Sequence, residues 1–138
     1  MAVKFLVDVN VLSETIKVRP EPSALQWLKR HESEIAVNTV ILGELEYGIL
    51  ILPIGRRRSQ LWNWYSRDAA HLQVVEMGRK TAEIWARLLA DLKRKGRTMP
   101  AIDSLIAASA IEYGLIVATR NTSDYRFCGV GLTNPFES

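Results

Sequence analysis

Short apolar runs alternate with longer helix-like segments along the chain, and this alternation restricts the fold more than any other feature. The strand-like runs lie at 3–7, 35–40, 72–75, 115–118 and 130–133. The helix-like segments lie at 10–16, 22–31, 41–52, 56–70, 78–95 and 101–113. Apolar runs of about four to eight residues are typical of strands buried on both faces. The sequence therefore predicts an α/β fold, a three-layer α/β/α sandwich with a mostly parallel central sheet.

Proline and glycine mark several of the predicted helix ends. Pro22 stands just inside the start of its helix, where a missing N–H is tolerated. Gly96 and Gly114 follow the helices predicted at 78–95 and 101–113, as expected of residues that end a helix in the left-handed conformation.

The composition suits one small domain, predicted to span 1–138, because 48% hydrophobic residues can fill a single core. The net charge of +3 permits nucleic-acid binding without requiring it. The single cysteine, Cys128, excludes an internal disulfide framework and a multi-cysteine zinc site, and it suits a reducing compartment. Neither a secretory signal nor a bilayer-spanning apolar run is visible, so we expect a cytoplasmic protein without membrane contact.

Four acidic residues are placed where an open parallel sheet binds its ligands. Asp8 directly follows the first strand-like run, Glu44 lies early in the helix after the second, and Asp124 lies in the loop after the fourth. Asp103 lies in the first turn of its own helix, where the helix dipole favours a carboxylate. Because ligands bind beyond the carboxyl ends of parallel strands, we expect these side chains to converge.

Four converging carboxylates require a cation, because without one they repel each other and raise one another's pKa values. Mg²⁺ and Mn²⁺ prefer oxygen ligands and keep coordination positions open for water and phosphate, as phosphodiester hydrolysis requires. The sequence therefore predicts a metal-dependent nuclease site made of Asp8, Glu44, Asp103 and Asp124.

Each acid taken alone has a simpler explanation. Asp8 fits a helix cap or turn, Asp103 a first-turn acid, and Asp124 a turn former. Glu44 fits a solvated helix position, although its helix is largely apolar. The joint placement of the four acids is what favours a shared site.

Other catalytic classes find little support. His31 and His71 both stand at predicted helix ends, so a ribonuclease that uses a histidine pair is disfavoured. The chain has no phosphate-binding Gly-rich loop ending in Lys-Ser/Thr, no full dinucleotide fingerprint and no serine elbow. A phosphotransferase with an aspartate nucleophile usually has a second Asp two residues later, where this chain has Asn10.

Four segments of the chain resemble one known family. They are FLVDVNVLSE, VILGELEYGI, MPAIDSLIAASAIEYGLIVATRNTSDY and LTNPF. In this order they span nearly the whole chain and resemble PIN domains of the VapC type, the ribonuclease toxins of bacterial type II toxin–antitoxin systems, including the FitB-related subgroup. The resemblance implies the sandwich fold, Mg²⁺ or Mn²⁺ held by the four acids, and hydrolysis of RNA phosphodiester bonds.

The resemblance also assigns supporting residues and shows one departure. The positions matching Asn10, Thr119 and Asn121 support the site in this family. The position after the first acid is often Thr or Ser, whereas here it is Val9, so a hydroxyl that assists that loop is missing. All four acids remain, which favours activity.

The resemblance further implies a homodimer that is inhibited by a cognate VapB-type antitoxin and reaches DNA only through that antitoxin. A competing interpretation is a PIN-fold binding module that acts mainly in a DNA-binding regulatory complex, with little nuclease activity. Retention of all four acids argues against this alternative, and Val9 leaves it open.

Two groups of basic residues are candidate contacts for RNA or for an antitoxin. They are Arg56, Arg57 and Arg58, and Lys93, Arg94, Lys95 and Arg97. Cations at a helix start are unfavourable to the helix dipole by about a few tenths of a kcal/mol, which suggests another role for the first group. Solvated basic faces are the simpler alternative for each group.

Overall fold

A five-stranded sheet forms the centre of the computed structural model, which describes residues 2–137. The strands are β1 (Phe5–Val7), β2 (Ile35–Asn38), β3 (Gln73–Val75), β4 (Ile116–Ala118) and β5 (Leu132–Thr133). Their order is β3-β2-β1-β4-β5, and every pairing between neighbours is parallel. The prediction of a mostly parallel α/β/α sandwich is confirmed.

Six α-helices accompany this sheet among the described residues. They are α1 (Val9–Leu12), α2 (Pro22–Arg30), α3 (Thr39–Leu50), α4 (Arg56–Arg67), α5 (Arg79–Arg94) and α6 (Ala101–Tyr113). Short 3₁₀ turns cover Ser13–Ile16, Ala69–His71, Thr122–Tyr125 and Pro135–Glu137. No helix within residues 2–137 is both long enough and apolar enough to cross a membrane.

Several predicted boundaries are wrong, and at two of them a side chain competes for the backbone. The predicted helix 10–16 changes to a 3₁₀ turn at Ser13, whose hydroxyl donates to the Val9 carbonyl over 2.6 Å. The predicted strand 35–40 ends at Asn38, whose Oδ1 accepts from the Ile41 N–H over 2.9 Å and caps α3. The helix carrying Glu44 therefore begins two residues earlier than predicted.

The central strands supply the core and explain the stability of the sheet. Leu6, Val7, Val37 and Val117 are completely buried, and burying each such side chain contributes about 1.5–3 kcal/mol. The most buried part of α6 is 106–110, where small residues allow close packing. The carboxyl ends of the central strands consequently have fixed positions, which is what a binding site requires.

The strand order creates a switch point between β1 and β4. From β1 the chain builds β2 and β3 on one side, and it then returns to place β4 and β5 on the other side. In open parallel sheets the crevice beyond the strand ends at such a point is the usual ligand site. The ends of β1 and β4 are joined there directly, since the Asp8 N–H donates to the Ala118 carbonyl over 2.9 Å.

Helices α5 and α6 form an antiparallel pair that delivers a further acid to this crevice. Thr81 near the start of α5 bonds to Glu112 near the end of α6, and the Trp85 indole donates to the Ser104 hydroxyl over 2.9 Å. The end of α5 and the start of α6, with Asp103, therefore lie at the same end of the pair. Gly114, with φ of 66°, then ends α6 and lets the chain turn into β4.

Candidate metal-binding site

Asp8 lies between β1 and α1 and is only 3% exposed. Its Oδ1 accepts from the Val9 N–H over 2.8 Å, so the simpler explanation as a helix cap is correct for one oxygen. Its Oδ2 accepts from the Thr119 hydroxyl over 2.9 Å, from Tyr125 over 3.3 Å and, more weakly, from the Asn10 amide over 3.4 Å. These donors stabilise the negative charge of a carboxylate that has lost nearly all its contact with water.

Two of the three supporting residues act through their side chains. Thr119 is buried, and its hydroxyl accepts from the Asn10 amide over 3.2 Å while donating to Asp8. The Asn10 Oδ1 accepts from the Arg120 N–H over 3.0 Å, which ties the loop after β1 to the loop after β4. Asn121 joins this network only through its main chain, because its N–H donates to the Thr119 hydroxyl over 3.1 Å.

Glu44 lies on α3 and adds a further acid to the site. Burial, together with the negative charges of Asp8 and Asp103, raises the pKa of its side chain to about 7. Its Oε1 is buried and has no hydrogen-bond partner. A buried carboxylate oxygen without a donor is costly, and a cation is the kind of group that would satisfy it.

Asp103 occupies the first turn of α6 and is electrostatically coupled to the other acids. Its pKa is raised to about 6 by burial and then by the charges of Asp8 and Asp124, while a hydrogen bond from Tyr125 works in the opposite direction. Asp124 lies exposed in the turn Thr122–Tyr125 and reaches Asp103 from the rim. Asp103 therefore connects the four predicted acids, since its charge also acts on Glu44.

Tyr125 is a site residue that the sequence did not reveal. Its ring is fully buried, and its hydroxyl donates to Asp8 and is also hydrogen-bonded to Asp103. Burial, followed by these two negative charges, raises the pKa of the phenol, so it is a permanent donor. The signal available in the sequence was its place next to Asp124, since both side chains hydrogen-bond to Asp103.

Comparison with known proteins identifies the family of this chain. The family model described as PIN domain matches residues 5–130, a range that contains all four acids. The chain belongs to the PIN domain family. VapC ribonuclease Y4jK of Sinorhizobium fredii is 30% identical over 136 residues, covering 96% of this chain and 97% of the relative. Toxin FitB of Neisseria gonorrhoeae is 27% identical over 135 residues, covering 95% and 97%.

Solved structures agree with this placement in the PIN domain family. The crystal structure of FitAcB from Neisseria gonorrhoeae matches with a TM-score of 0.91 at 26% identity, covering 97% of this chain and 99% of that one. FitAB bound to the IR36 DNA fragment matches with a TM-score of 0.90 at 25% identity, covering 96% and 95%. The resemblance to VapC-type and FitB-related PIN domains is therefore confirmed.

The PIN domain does not hold its acids in the arrangement of a finished metal site. Among residues 2–137, no three His, Cys, Asp or Glu side chains are placed so that they could together hold a metal ion. The donor set nevertheless fits a hard divalent cation, since it is made of oxygens and includes the unpartnered Oε1 of Glu44.

The basic residues of the PIN domain have varied surroundings. Arg57 donates to the Ile16 carbonyl over 2.6 Å, and the Arg58 Nε is buried without a hydrogen-bond partner. Lys95 pairs with Asp91 over 3.0 Å on the surface of α5. The other basic residues of the two groups are exposed at the ends of α4 and α5, namely Arg56, Lys93, Arg94 and Arg97. Their role as RNA or antitoxin contacts stays a prediction.

Proposed function

We propose that this PIN domain is a Mg²⁺- or Mn²⁺-dependent endoribonuclease and the toxin component of a type II toxin–antitoxin system. The observation that carries the proposal is the buried, unpartnered Oε1 of Glu44, which faces the charges of Asp8 and Asp103 at the switch point of the sheet. A protein that had no use for a cation would have little reason to retain this repulsion. The relatives named VapC ribonuclease and toxin FitB support the reaction class and the biological role.

Asp8 and Asp103 are the principal ligands in this proposal, and Glu44 and Asp124 complete the site directly or through water. A bound Mg²⁺ or Mn²⁺ would activate water and stabilise the negative charge that develops on the scissile phosphate. The protein contributes fixed orientations. Thr119 and Tyr125 hold Asp8 Oδ2, and Val9 holds Oδ1, so the carboxylate cannot rotate away from the crevice.

We propose further that a VapB-type antitoxin inhibits the protein, that the protein is a homodimer in the cytoplasm, and that DNA is reached only through the antitoxin. The solved FitAB structure bound to a DNA fragment supports such an assembly for this chain. Exposed apolar side chains near the end of α3 and on α4 provide a surface that suits a protein partner. They are Tyr47, Leu50, Ile51, Ile54 and Trp62.

The same exposed surface favours a second candidate function, a PIN-fold binding module that works mainly in a DNA-binding complex with its antitoxin. In this case the carboxylates would be a remnant, and purified protein would leave RNA intact. The two candidates differ in one assay, because only the first requires RNA cleavage by the free protein.

The decisive experiment incubates purified, antitoxin-free protein with structured RNAs in Mg²⁺ or Mn²⁺ and sequences the cut ends. Asp8→Asn preserves the size of the side chain and its ability to cap α1, but it removes the charge. We expect this variant to lose cleavage and the Mn²⁺-dependent rise in melting temperature. The matched control is Asp68→Asn, an exposed acid at the end of α4, which should leave both unchanged. If Asp8→Asn cleaves RNA as fast as the wild type, with contaminating nuclease excluded, the nuclease proposal is overturned.

A further inference from the structure

Two arginines lie close to one exposed phenylalanine on the surface of the molecule. The Phe127 ring is 42% exposed, and the Arg97 guanidinium carbon lies 4.0 Å from its centroid. The Arg126 guanidinium carbon lies 5.0 Å from the same centroid. We call Arg97, Arg126 and Phe127 the arginine–phenylalanine cluster.

The cluster lies beside the carboxylates because both of its segments are continuous with acids of the site. Phe127 is three residues after Asp124, so the two Cα atoms are at most about 11 Å apart. The turn is closed by the Cys128 N–H and Sγ, which both bond to the Tyr125 carbonyl, at 3.2 and 2.9 Å. This closure fixes Phe127 relative to Tyr125, whose hydroxyl contacts Asp8.

The second segment of the cluster enters from α5. The Arg97 N–H donates to the Leu92 carbonyl over 2.8 Å, which fixes the start of the loop that leads to Asp103. Arg97 thus lies in the loop between α5 and α6, and its guanidinium contacts the Phe127 ring. Residues that are about 30 positions apart in the sequence therefore form one basic and aromatic surface. Along the chain, this surface is six residues from Asp103 and three residues from Asp124.

Neither arginine is neutralised by the protein. The ion pairs within residues 2–137 involve Lys4, Lys17, His31, Arg79 and Lys95, and none involves Arg97 or Arg126. Contact with an aromatic face stabilises an exposed guanidinium and leaves its N–H groups free to bind an anion. The cluster therefore offers two unpaired cations and one accessible ring.

We propose that the arginine–phenylalanine cluster binds a single-stranded stretch of RNA next to the scissile phosphate, with a base stacked on Phe127 and flanking phosphates held by Arg97 and Arg126. This proposal rests on the proposed function, since it concerns the RNA that the carboxylates would cleave. Cationic grooves with aromatic platforms are the usual way to hold unpaired nucleotides without reading their sequence. The position also has an electrostatic reason, because the carboxylates repel phosphate and cations beside them offset that repulsion.

The test measures binding separately from cleavage. A fluorescein-labelled single-stranded RNA of about ten nucleotides is titrated with antitoxin-free protein in EDTA, and anisotropy is recorded at several salt concentrations. We expect Phe127→Leu to weaken binding about 5- to 10-fold, because the base loses its stacking partner, and Phe127→Trp to retain it. Arg97→Gln and Arg126→Gln should each reduce the slope of log K against log salt by about 0.7.

Lys80→Gln is the matched control, because it removes one exposed positive charge at the opposite end of the α5–α6 pair. We expect RNA binding of this variant to equal that of the wild type. Equal binding by Phe127→Leu and wild type, or equal losses for Lys80→Gln and Arg97→Gln, would overturn the proposal.

The experiments can reject the binding subsite and the nuclease proposal independently of each other. If the protein binds RNA through the cluster but never cuts it, the subsite stands and the nuclease proposal fails. If it cuts RNA while Phe127→Leu binds and cleaves like the wild type, the subsite alone fails. An effect of these variants on binding of a purified antitoxin, with RNA binding unchanged, would likewise reject the RNA subsite.

Discussion

Replacing Glu44 by glutamine should stabilise the metal-free protein at alkaline pH. The substitution keeps the shape of the side chain and removes its negative charge. The pKa of Glu44 is raised from 4.5 to about 7 by burial and by the charges of Asp8 and Asp103. At about 1.4 kcal/mol per pKa unit, this corresponds to at most about 3.5 kcal/mol of destabilisation once the group is ionised.

Because Glu44 retains some contact with water, solvent screening reduces this figure, and we expect about 1–2 kcal/mol. The sign follows from proton binding. The folded protein holds the Glu44 proton more tightly than the unfolded chain, so this contribution favours the fold below about pH 4.5 and is lost as the pH rises through 7. Asp103, with its pKa raised to about 6, acts in the same direction.

The assay is thermal or urea unfolding of wild type and Glu44→Gln in EDTA at pH 5 and pH 8. We expect nearly equal stability at pH 5 and a higher melting temperature for the variant at pH 8, by about 3–8 °C. Addition of Mn²⁺ at pH 8 should reverse the order. A ligand at 100 times its dissociation constant stabilises the fold by about 2.7 kcal/mol, and only the wild type would gain this in full.

Glu32→Gln is the control, because Glu32 is exposed in the loop before β2 and should show neither effect. A Glu44→Gln protein less stable than the wild type at pH 8 in EDTA would refute the repulsion on which the argument depends. Equal stabilisation of both proteins by Mn²⁺ would show that Glu44 is no ligand.

Three further outcomes follow from the site and its supports. Tyr125→Phe should fill the same core volume but weaken Mn²⁺ binding about 10- to 100-fold in calorimetry, and unchanged affinity would exclude a positioning role for the hydroxyl. Asn38→Ala removes both the cap of α3 and the bond to Ser109, so urea unfolding should show a loss of about 1–3 kcal/mol; a loss below about 0.5 kcal/mol would contradict it. Cleavage by wild type should need more Mn²⁺ at pH 6 than at pH 8, because protons compete at Glu44 and Asp103; an opposite trend in Mn²⁺ titrations would reject this competition.

The sheet and the family could be predicted from the sequence because their signals are local and ordered. Each strand-like run needed only a few neighbouring apolar residues, and the motifs occur in the order that a PIN domain requires. All five predicted strands exist, although β1 and β5 begin two residues later than expected. An apolar pattern indicates that a strand or helix is present, but it does not determine at which residue the hydrogen bonding begins.

The supports of the site could not be predicted in the same way, because they depend on contacts between distant parts of the chain. Tyr125 reads as an ordinary core aromatic until the fold brings its hydroxyl to Asp8. Phe127 and Arg97 give no joint signal in the sequence, since only the meeting of two loops brings them together. The identity of the metal ligands stays a prediction, and the experiments on Asp8 and Glu44 address it.

The bond between Asp8 and Thr119 joins residues 111 positions apart, and it has a consequence for synthesis of the protein. A growing chain that stops before β4 has made three acids but lacks Thr119, Tyr125 and the strand that pairs with β1 on that side. Such a fragment cannot orient Asp8 or close the crevice. The nuclease activity that we propose would therefore arise only when translation is nearly complete, and an inhibitor made earlier would already be present.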